Sequence, residues 1–164
     1  MELVLVAALG ENRVIGTGRS VPWDVPEDVR HYKSTVAGHP VIVGRRTFES
    51  MDRLAVPLHV VLTTDASREA AAPDVTYVRS PGEAVGAAAE TGSDRAYVIG
   101  GGEIYRLFLP YADGALLSHI EGTYEGGVTF PELGPSWEER ERERRDGFDV
   151  VRYENTAPEP LPGP

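Results

Sequence analysis

Short, β-branched apolar runs that alternate with helix-patterned segments constrain this chain more than any other feature. "LVLVAAL" (3–9), "PVIVG" (40–44), "LHVVLTT" (58–64) and "RAYVIGGG" (95–102) are apolar almost throughout, as expected for strands covered on both faces. Helical patterns lie between them, at 27–37, in a short stretch after Gly44, at 81–90 and at 103–109. Strands alternating with helices imply βαβ units and a mainly parallel sheet. "GALLSHIEG" (114–122) adds a further strand.

The end of the chain supports two readings. "SWEERERERRDG" (136–147) has a helical start signal, Ser136 with Glu139 three residues on, and many Glu–Arg pairs at helical spacing. Asp146-Gly147 is also a strong hairpin turn, and "FDVVRY" (148–153) alternates as a strand does. Pattern alone tilts only slightly toward the hairpin. "TAPEPLPGP" (156–164) holds four prolines in nine residues and is expected to be a disordered tail. The rest, 1–155, reads as one domain, since 164 residues suffice for a single core and no linker or repeat divides them.

Composition excludes several functions. With no cysteine, disulfides and thiolate metal sites are ruled out. The 26 acids against 16 bases leave a net charge of −10, which repels nucleic acid and anionic membranes. The apolar run 3–9 is too short to span a bilayer. No charged n-region precedes it, so the cytoplasm is the expected compartment. Lys33 is the one lysine. Lysine poverty with excess acid suits a protein working in high salt, where self-repulsion is screened; the codon bias of a GC-rich genome produces the same composition.

Two segments are suited to phosphate. In "VIVGRRTFES" a strand ends at Gly44 and a helix opens on Arg45, Arg46 and Thr47. Cations at a helix N-terminus oppose its dipole, and a bound anion held by guanidinium groups and helix N–H donors would reconcile them. Two solvated surface arginines are an equally good reading of this segment alone. In "YVIGGGEIYRLF" three glycines follow a strand and open a helix, allowing close backbone approach to a ligand. Taken alone, that segment is more commonly a tight structural turn. Its spacing is not G-x-G-x-x-G. Both segments on one parallel sheet favour a dinucleotide, and arginines available for a 2′-phosphate favour NADP. His31, His39, His59 and His119 show no metal-ligand spacing and are expected at the surface or core edge, so no metal site is expected. No G-x-S-x-G or G-x-x-x-x-G-K-[ST] motif occurs.

Asp28 is the unusual acid. At 100° per residue, Tyr32, Thr35, Val36 and Val29 fall within about 100° of it, so it lies in the apolar arc of its helix. A first-turn acid favoured by the helix dipole is the ordinary reading. The preceding glycine-rich loop "ENRVIGTGRSVPW", ending in Trp23, suits an active-site lid. A buried carboxylate is tolerable where a ligand offers it two parallel N–H bonds.

"AALGENRVIG", "VPWDVPEDVRHY", "PVIVGRRTFES", "YVIGGGEIYRLFLP" and "LLSHIEGTYEGGVTFPE" closely resemble, in order and spacing, the segments of the dihydrofolate reductase family from about Leu3 to Tyr153. The resemblance implies an α/β fold with an eight-stranded, mostly parallel mixed sheet, four flanking helices and a C-terminal antiparallel hairpin. It implies a monomer that reduces 7,8-dihydrofolate to tetrahydrofolate with NADPH, in support of one-carbon metabolism. By the same resemblance Asp28 holds the pterin N3 and 2-amino group and promotes protonation of N5. Trp23 and Ser118 match residues that fix water or hydrogen bonds near the pterin. Val6, Ala8, Val21, Val29, Tyr32, Met51, Leu54, Ile99 and Tyr105 match the substrate-pocket wall. Ala8, Ile15, Gly16, Ile99, Ile104 and Tyr105 match positions beside the cofactor. Gly44, Arg45, Arg46, Thr47, Thr63 and Thr64 match its phosphate and ribose contacts, and Gly100, Gly101 and Gly102 its pyrophosphate turn. Asp28 is then expected to have raised proton affinity, from burial without a nearby base.

Three positions depart from the family pattern. Pro57 replaces an arginine that usually clamps the glutamate tail, leaving Arg53 or His59 as substitutes. Glu103 is a poor phosphate neighbour, and Gly127 stands where an acid often stabilises the closed loop. Rival readings are a reductase of the same fold acting on a riboflavin precursor, opposed by Pro22, Trp23 and Asp28, and a non-catalytic NADP- or folate-binding module.

Overall fold

The alternation of apolar runs and helices folds into one eight-stranded sheet in the computed structural model, which describes residues 1–15, 23, 25–65 and 72–162. The strands are Glu2–Leu9 (β1), Val41–Gly44 (β2), His59–Leu62 (β3), Val75–Val78 (β4), Arg95–Val98 (β5), Gly114–Ile120 (β6), Trp137–Arg145 (β7) and Phe148–Asn155 (β8). The helices are Pro26–Val36 (α1), Arg45–Ser50 (α2), Pro81–Ala89 (α3) and Gly102–Phe108 (α4). Spatial order is β4-β3-β2-β5-β1-β6-β8-β7. Pairing is parallel from β4 to β6, and β8 runs antiparallel to both its neighbours.

The continuously apolar strands are buried on both faces, as their composition requires. Leu3, Leu5, Ala7 and Leu9 of β1 join Ile42, Val60, Val98, Ala84, Ala88 and Phe108 in the core under α3 and α4. Val6 of the same strand joins Val36, Val41, Val43, Val61 and Ile99 on the opposite face, with Tyr32 of α1 and Phe48 of α2 packed against them. A third cluster, Trp23, Ile120, Phe148 and Val150, closes the β6–β8 end.

One strand lies outside the pattern reading of the sequence, and the ambiguous end of the chain resolves as the hairpin. Strand β4 was not read from the pattern; it lies at the sheet edge with its two central residues, Thr76 and Tyr77, only half-buried, so it lacks the continuous apolar run of the inner strands. The segment 136–147 resolves as strand, with Gly147 at φ +87° making the turn into β8. Its helical spacing of Glu and Arg is overridden because β8 must bury Phe148, Val150 and Val151 beside β6, which places β7 alongside it. Along the exposed edge strand Arg140, Arg142 and Arg144 pair with Glu154, Glu139, Asp149 and Glu121, a charged border that discourages edge-to-edge pairing.

In the Pro-rich segment, Thr156 N donates to Ser136 O and Glu159 N to Pro110 O. Among the described residues no helix is long and apolar enough to cross a membrane, and no His, Cys, Asp or Glu cluster could hold a metal ion.

Candidate active site

The carboxyl ends of β1 and β6 and the residue after β5 open onto a cavity of about 520 Å3, the size of a small-molecule site. Helix α1 supplies the facing wall. Its start is set by Pro26 at the first turn, and Asp28 N donates to Val25 O at 3.0 Å. That register directs the Asp28 side chain into the cavity, where the residue is only 6% exposed. Ser118 arrives by strand pairing, opposite Ala8 in the β1–β6 ladder, and both line the same cavity.

Burial raises the proton affinity of Asp28, and the Ser118 and Trp23 side chains and the nearby His31 partly oppose that rise. The raised direction agrees with the expectation, but the supposed lack of a neighbouring base does not hold. His31, one turn along α1, faces the acid and lines the cavity. Trp23 packs edge-on to Tyr124, with centroids 5.2 Å apart, and its buried Nε1, near enough to the Asp28 carboxylate to favour its charge, makes no hydrogen bond of ordinary geometry among the described residues. An orphaned buried N–H beside a buried carboxylate leaves room for a water or a polar ligand atom.

Of the expected substrate-side residues, Val6, Ala8, Val29, Tyr32, Met51, Leu54, Ile99 and Tyr105 all line this cavity. Val29 stands at its rim, 42% exposed. Val21 and Gly16 lie outside the described residues. On the cofactor side, Ala8, Ile15, Thr47, Ile99, Gly101 and Tyr105 reach the cavity. Gly44, Arg45, Arg46, Thr63, Thr64, Gly100, Gly102 and Ile104 are not part of its wall.

Several of these nevertheless adjoin it. Gly44 N donates to Gly100 O at 2.8 Å, and a Cβ on Gly101 would sit 3.1 Å from the Thr47 hydroxyl. The two segments suited to phosphate are therefore neighbours, with the start of α2 against the glycine turn. Arg45 bonds Glu49 one turn on, at 2.9 Å, while Arg46 is exposed. Thr63 Oγ1 accepts from Asp65 N at 3.0 Å.

His59 corrects the expectation that all four histidines lie at the surface or core edge: it is fully buried. Leu54 N donates to its Nε2 at 3.1 Å, and its Nδ1 lies 3.1 Å from Asp74 O. With both ring nitrogens engaged and no exposure, His59 cannot replace the missing tail arginine. Arg53 lines the cavity, with its guanidinium over Phe48 at 5.2 Å and bonded to the Asp74 carboxylate at 2.9 Å. Lys33, His31, Ser50, Asp52 and Leu116 also line the cavity and were not singled out from the sequence. Leu116 could have been found from strand alternation, two residues before Ser118, and His31 from its i,i+3 spacing to Asp28.

A buried acid, a glycine turn opening a helix, and a cleft at the carboxyl ends of parallel strands define a nucleotide-dependent α/β enzyme. The sequence profile of the family described as Dihydrofolate reductase matches residues 2–157. Dihydrofolate reductase 1 of Haloarcula marismortui is 49% identical, over 98% of this chain and 95% of that one. Dihydrofolate reductase HdrB of Haloferax volcanii is 42% identical, over 96% and 86%. The structure of a dihydrofolate reductase from Enterococcus faecalis complexed with NADP(H) and RAB-propyl superposes with a TM-score of 0.80 at 25% identity, over 93% of this chain and 95% of that one. The chain belongs to the dihydrofolate reductase family.

Proposed function

We propose that this protein reduces 7,8-dihydrofolate to tetrahydrofolate with NADPH, and that Asp28, buried at the end of a pterin-sized cleft, is the group on which the reaction turns. The supporting observation is the pairing of that acid with an orphaned Trp23 Nε1 in one cavity. Bound NADPH supplies the hydride. The residues suited to hold it are Thr47, the glycine turn 100–102, Ile15 and Tyr105, with Arg45, Arg46, Thr63 and Thr64 on the side of the 2′-phosphate.

Asp28 accepts the paired N–H donors of the pterin edge, which offsets the cost of its burial. Its charge favours arrival of a proton at N5, with Trp23 Nε1 and the Ser118 hydroxyl holding a water for the transfer. The apolar walls from Val6, Tyr32, Leu54 and Ile99 exclude other water and hold the pterin ring in line with the incoming hydride. Tyr105 is fixed by donating to Val6 O at 2.7 Å, so that wall is rigid. The reaction needs alignment and one proton, without a covalent intermediate on the protein.

The purified protein is expected to consume NADPH with dihydrofolate as acceptor. Intact NADPH binding without turnover at any salt concentration would point instead to a binding module. Turnover of an aminopyrimidine riboflavin precursor in preference to dihydrofolate would point to the rival reductase.

The charge of −10 and the sources of the two most similar relatives reported above support a salt-adapted protein. At molar salt the Debye length falls to about 3 Å, removing repulsion among surface carboxylates. The exposed pairs along β7 weaken too, but each is worth only about 0–1 kcal/mol. The Tm is therefore expected to rise from dilute buffer to molar KCl; a fall would remove the salt-adapted reading.

A further inference from the structure

The cavity wall at 51–54 belongs to a segment without helix or strand, between α2 and β3. Such a segment holds one shape only where its backbone is anchored. Beyond the wall, Ala55 O accepts from Gly38 N at 3.1 Å, and Leu58 O accepts from Val41 N at 3.0 Å. At the wall itself Met51 N donates to Phe48 O at 3.4 Å, and Leu54 N is anchored by a side chain, that of His59. The ring nitrogen facing Leu54 N–H must be unprotonated to accept from it, which puts the proton of the neutral ring on Nδ1, aimed at Asp74 O. The ring is shut between Phe48, 5.6 Å away, and the start of β4. Arg53 is gripped by the same group, over Phe48 and on the Asp74 carboxylate, which stands 3.6 Å from His59 Nδ1.

We propose that His59 is a positioning residue for the folate side of the cleft: as the Nδ1–H tautomer it fixes Leu54, and through Asp74 and Phe48 it fixes Arg53, without touching the ligand. Because Leu54 and Arg53 follow the end of α2, whose start carries Thr47 against the glycine turn, the geometry assigns His59 an effect on dihydrofolate and not on NADPH. Glutamine can place an acceptor oxygen near the position of Nε2, whereas leucine fills the space and leaves the half-buried Leu54 N–H without its partner. The inference rests on the folate reading of the cleft for its binding test, but not for its tautomer test.

The test has two parts. Long-range 1H–15N NMR of the intact protein at neutral pH is expected to show His59 as the Nδ1–H tautomer. An Nε2–H tautomer would overturn the proposal whatever the ligand. Tryptophan fluorescence titrations and steady-state kinetics are then made on His59→Leu and His59→Gln. His59→Leu is expected to raise Kd and KM for dihydrofolate about tenfold while kcat and the Kd for NADPH stay within about twofold. His59→Gln is expected to recover most of that loss. Dihydrofolate affinity unchanged in His59→Leu, or equal losses for both ligands, would overturn it. Where His59→Leu does not fold, the tautomer and the separate ligand affinities of His59→Gln decide. Failure of the parent protein to bind dihydrofolate at all would overturn the functional reading and leave the tautomer result standing.

Discussion

Asp28→Asn lowers turnover near neutral pH by about two to four orders of magnitude and leaves the Kd for NADPH within about twofold. The exchange preserves size and shape, so the cavity stays intact. An amide offers one acceptor and one donor where the pterin edge presents two donors, and it carries no charge to favour protonation of N5. The same substitution stabilises the ligand-free protein. Burial raises the Asp28 pKa above its unfolded value, so the ionised side chain costs stability at every pH above the folded pKa. That cost shrinks as the pH falls below the folded value, where the folded acid takes up its proton, and is gone below the unfolded value. The Tm of the Asn variant therefore exceeds that of the parent at neutral pH, and the two converge in acid. Steady-state NADPH consumption and thermal melts at two pH values check both halves. Undiminished turnover would take Asp28 out of the mechanism; a lower Tm at neutral pH would mean that its burial costs nothing.

Gly100→Ala has the second large effect, on folding and cofactor binding together. Gly100 has φ +108°, a region that side chains avoid. An added Cβ would lie 2.9 Å from Tyr105 Cε2 and 3.0 Å from its Cζ and Oη. That ring cannot give way, because its hydroxyl donates to Val6 O at 2.7 Å and its face meets Phe130 at a centroid distance of 4.9 Å. Backbone strain and overpacking together cost about 2–4 kcal/mol. Displacing this turn also moves Gly101 from the Thr47 hydroxyl and breaks the Gly44 N to Gly100 O bond, so the Kd for NADPH rises at least about tenfold, the equivalent of 1.4 kcal/mol. Gly86→Ala is the control: it lies inside α3 with nothing within 4 Å of the new methyl, and a helical Gly-to-Ala change stabilises by about 0.5–1 kcal/mol. Denaturant unfolding and NADPH titration of the two variants separate a site effect from a general intolerance of added methyls.

The sheet and its helices were legible because their signals are local. Runs such as 40–44 and 58–62 are apolar at nearly every position, as a strand covered on both faces requires. Asp28 was legible for a related reason: an acid within the apolar arc of a short helix is conspicuous without knowledge of its neighbours. The hairpin was less so. Strand β7 is exposed on both faces apart from its ends, so nothing in its own composition alternates, and Glu–Arg spacing fits a helix equally well. Only the demand of β8 for a partner on its outer edge decides it. His59 was misplaced because its burial depends on two backbone groups, at Leu54 and Asp74, that are brought together by the turn before β3 and by the β3–β4 pairing.

The amino-acid order by itself determined that the chain makes a parallel α/β sheet, that two phosphate-suited turns follow its strands, and that one acid lies where apolar residues belong. Each of these depends on contacts within a few residues, where hydrophobic period and backbone preference act directly. The tertiary structure alone decided that the glycine turn lies against the start of α2, that Ser118 stands opposite Ala8 in the wall of the cavity that holds Asp28, and that a buried imidazole joins the cavity wall to Asp74. Those meetings join residues far apart in the chain, and the energy that selects them comes from burying both sheet faces at once, a quantity no single segment carries.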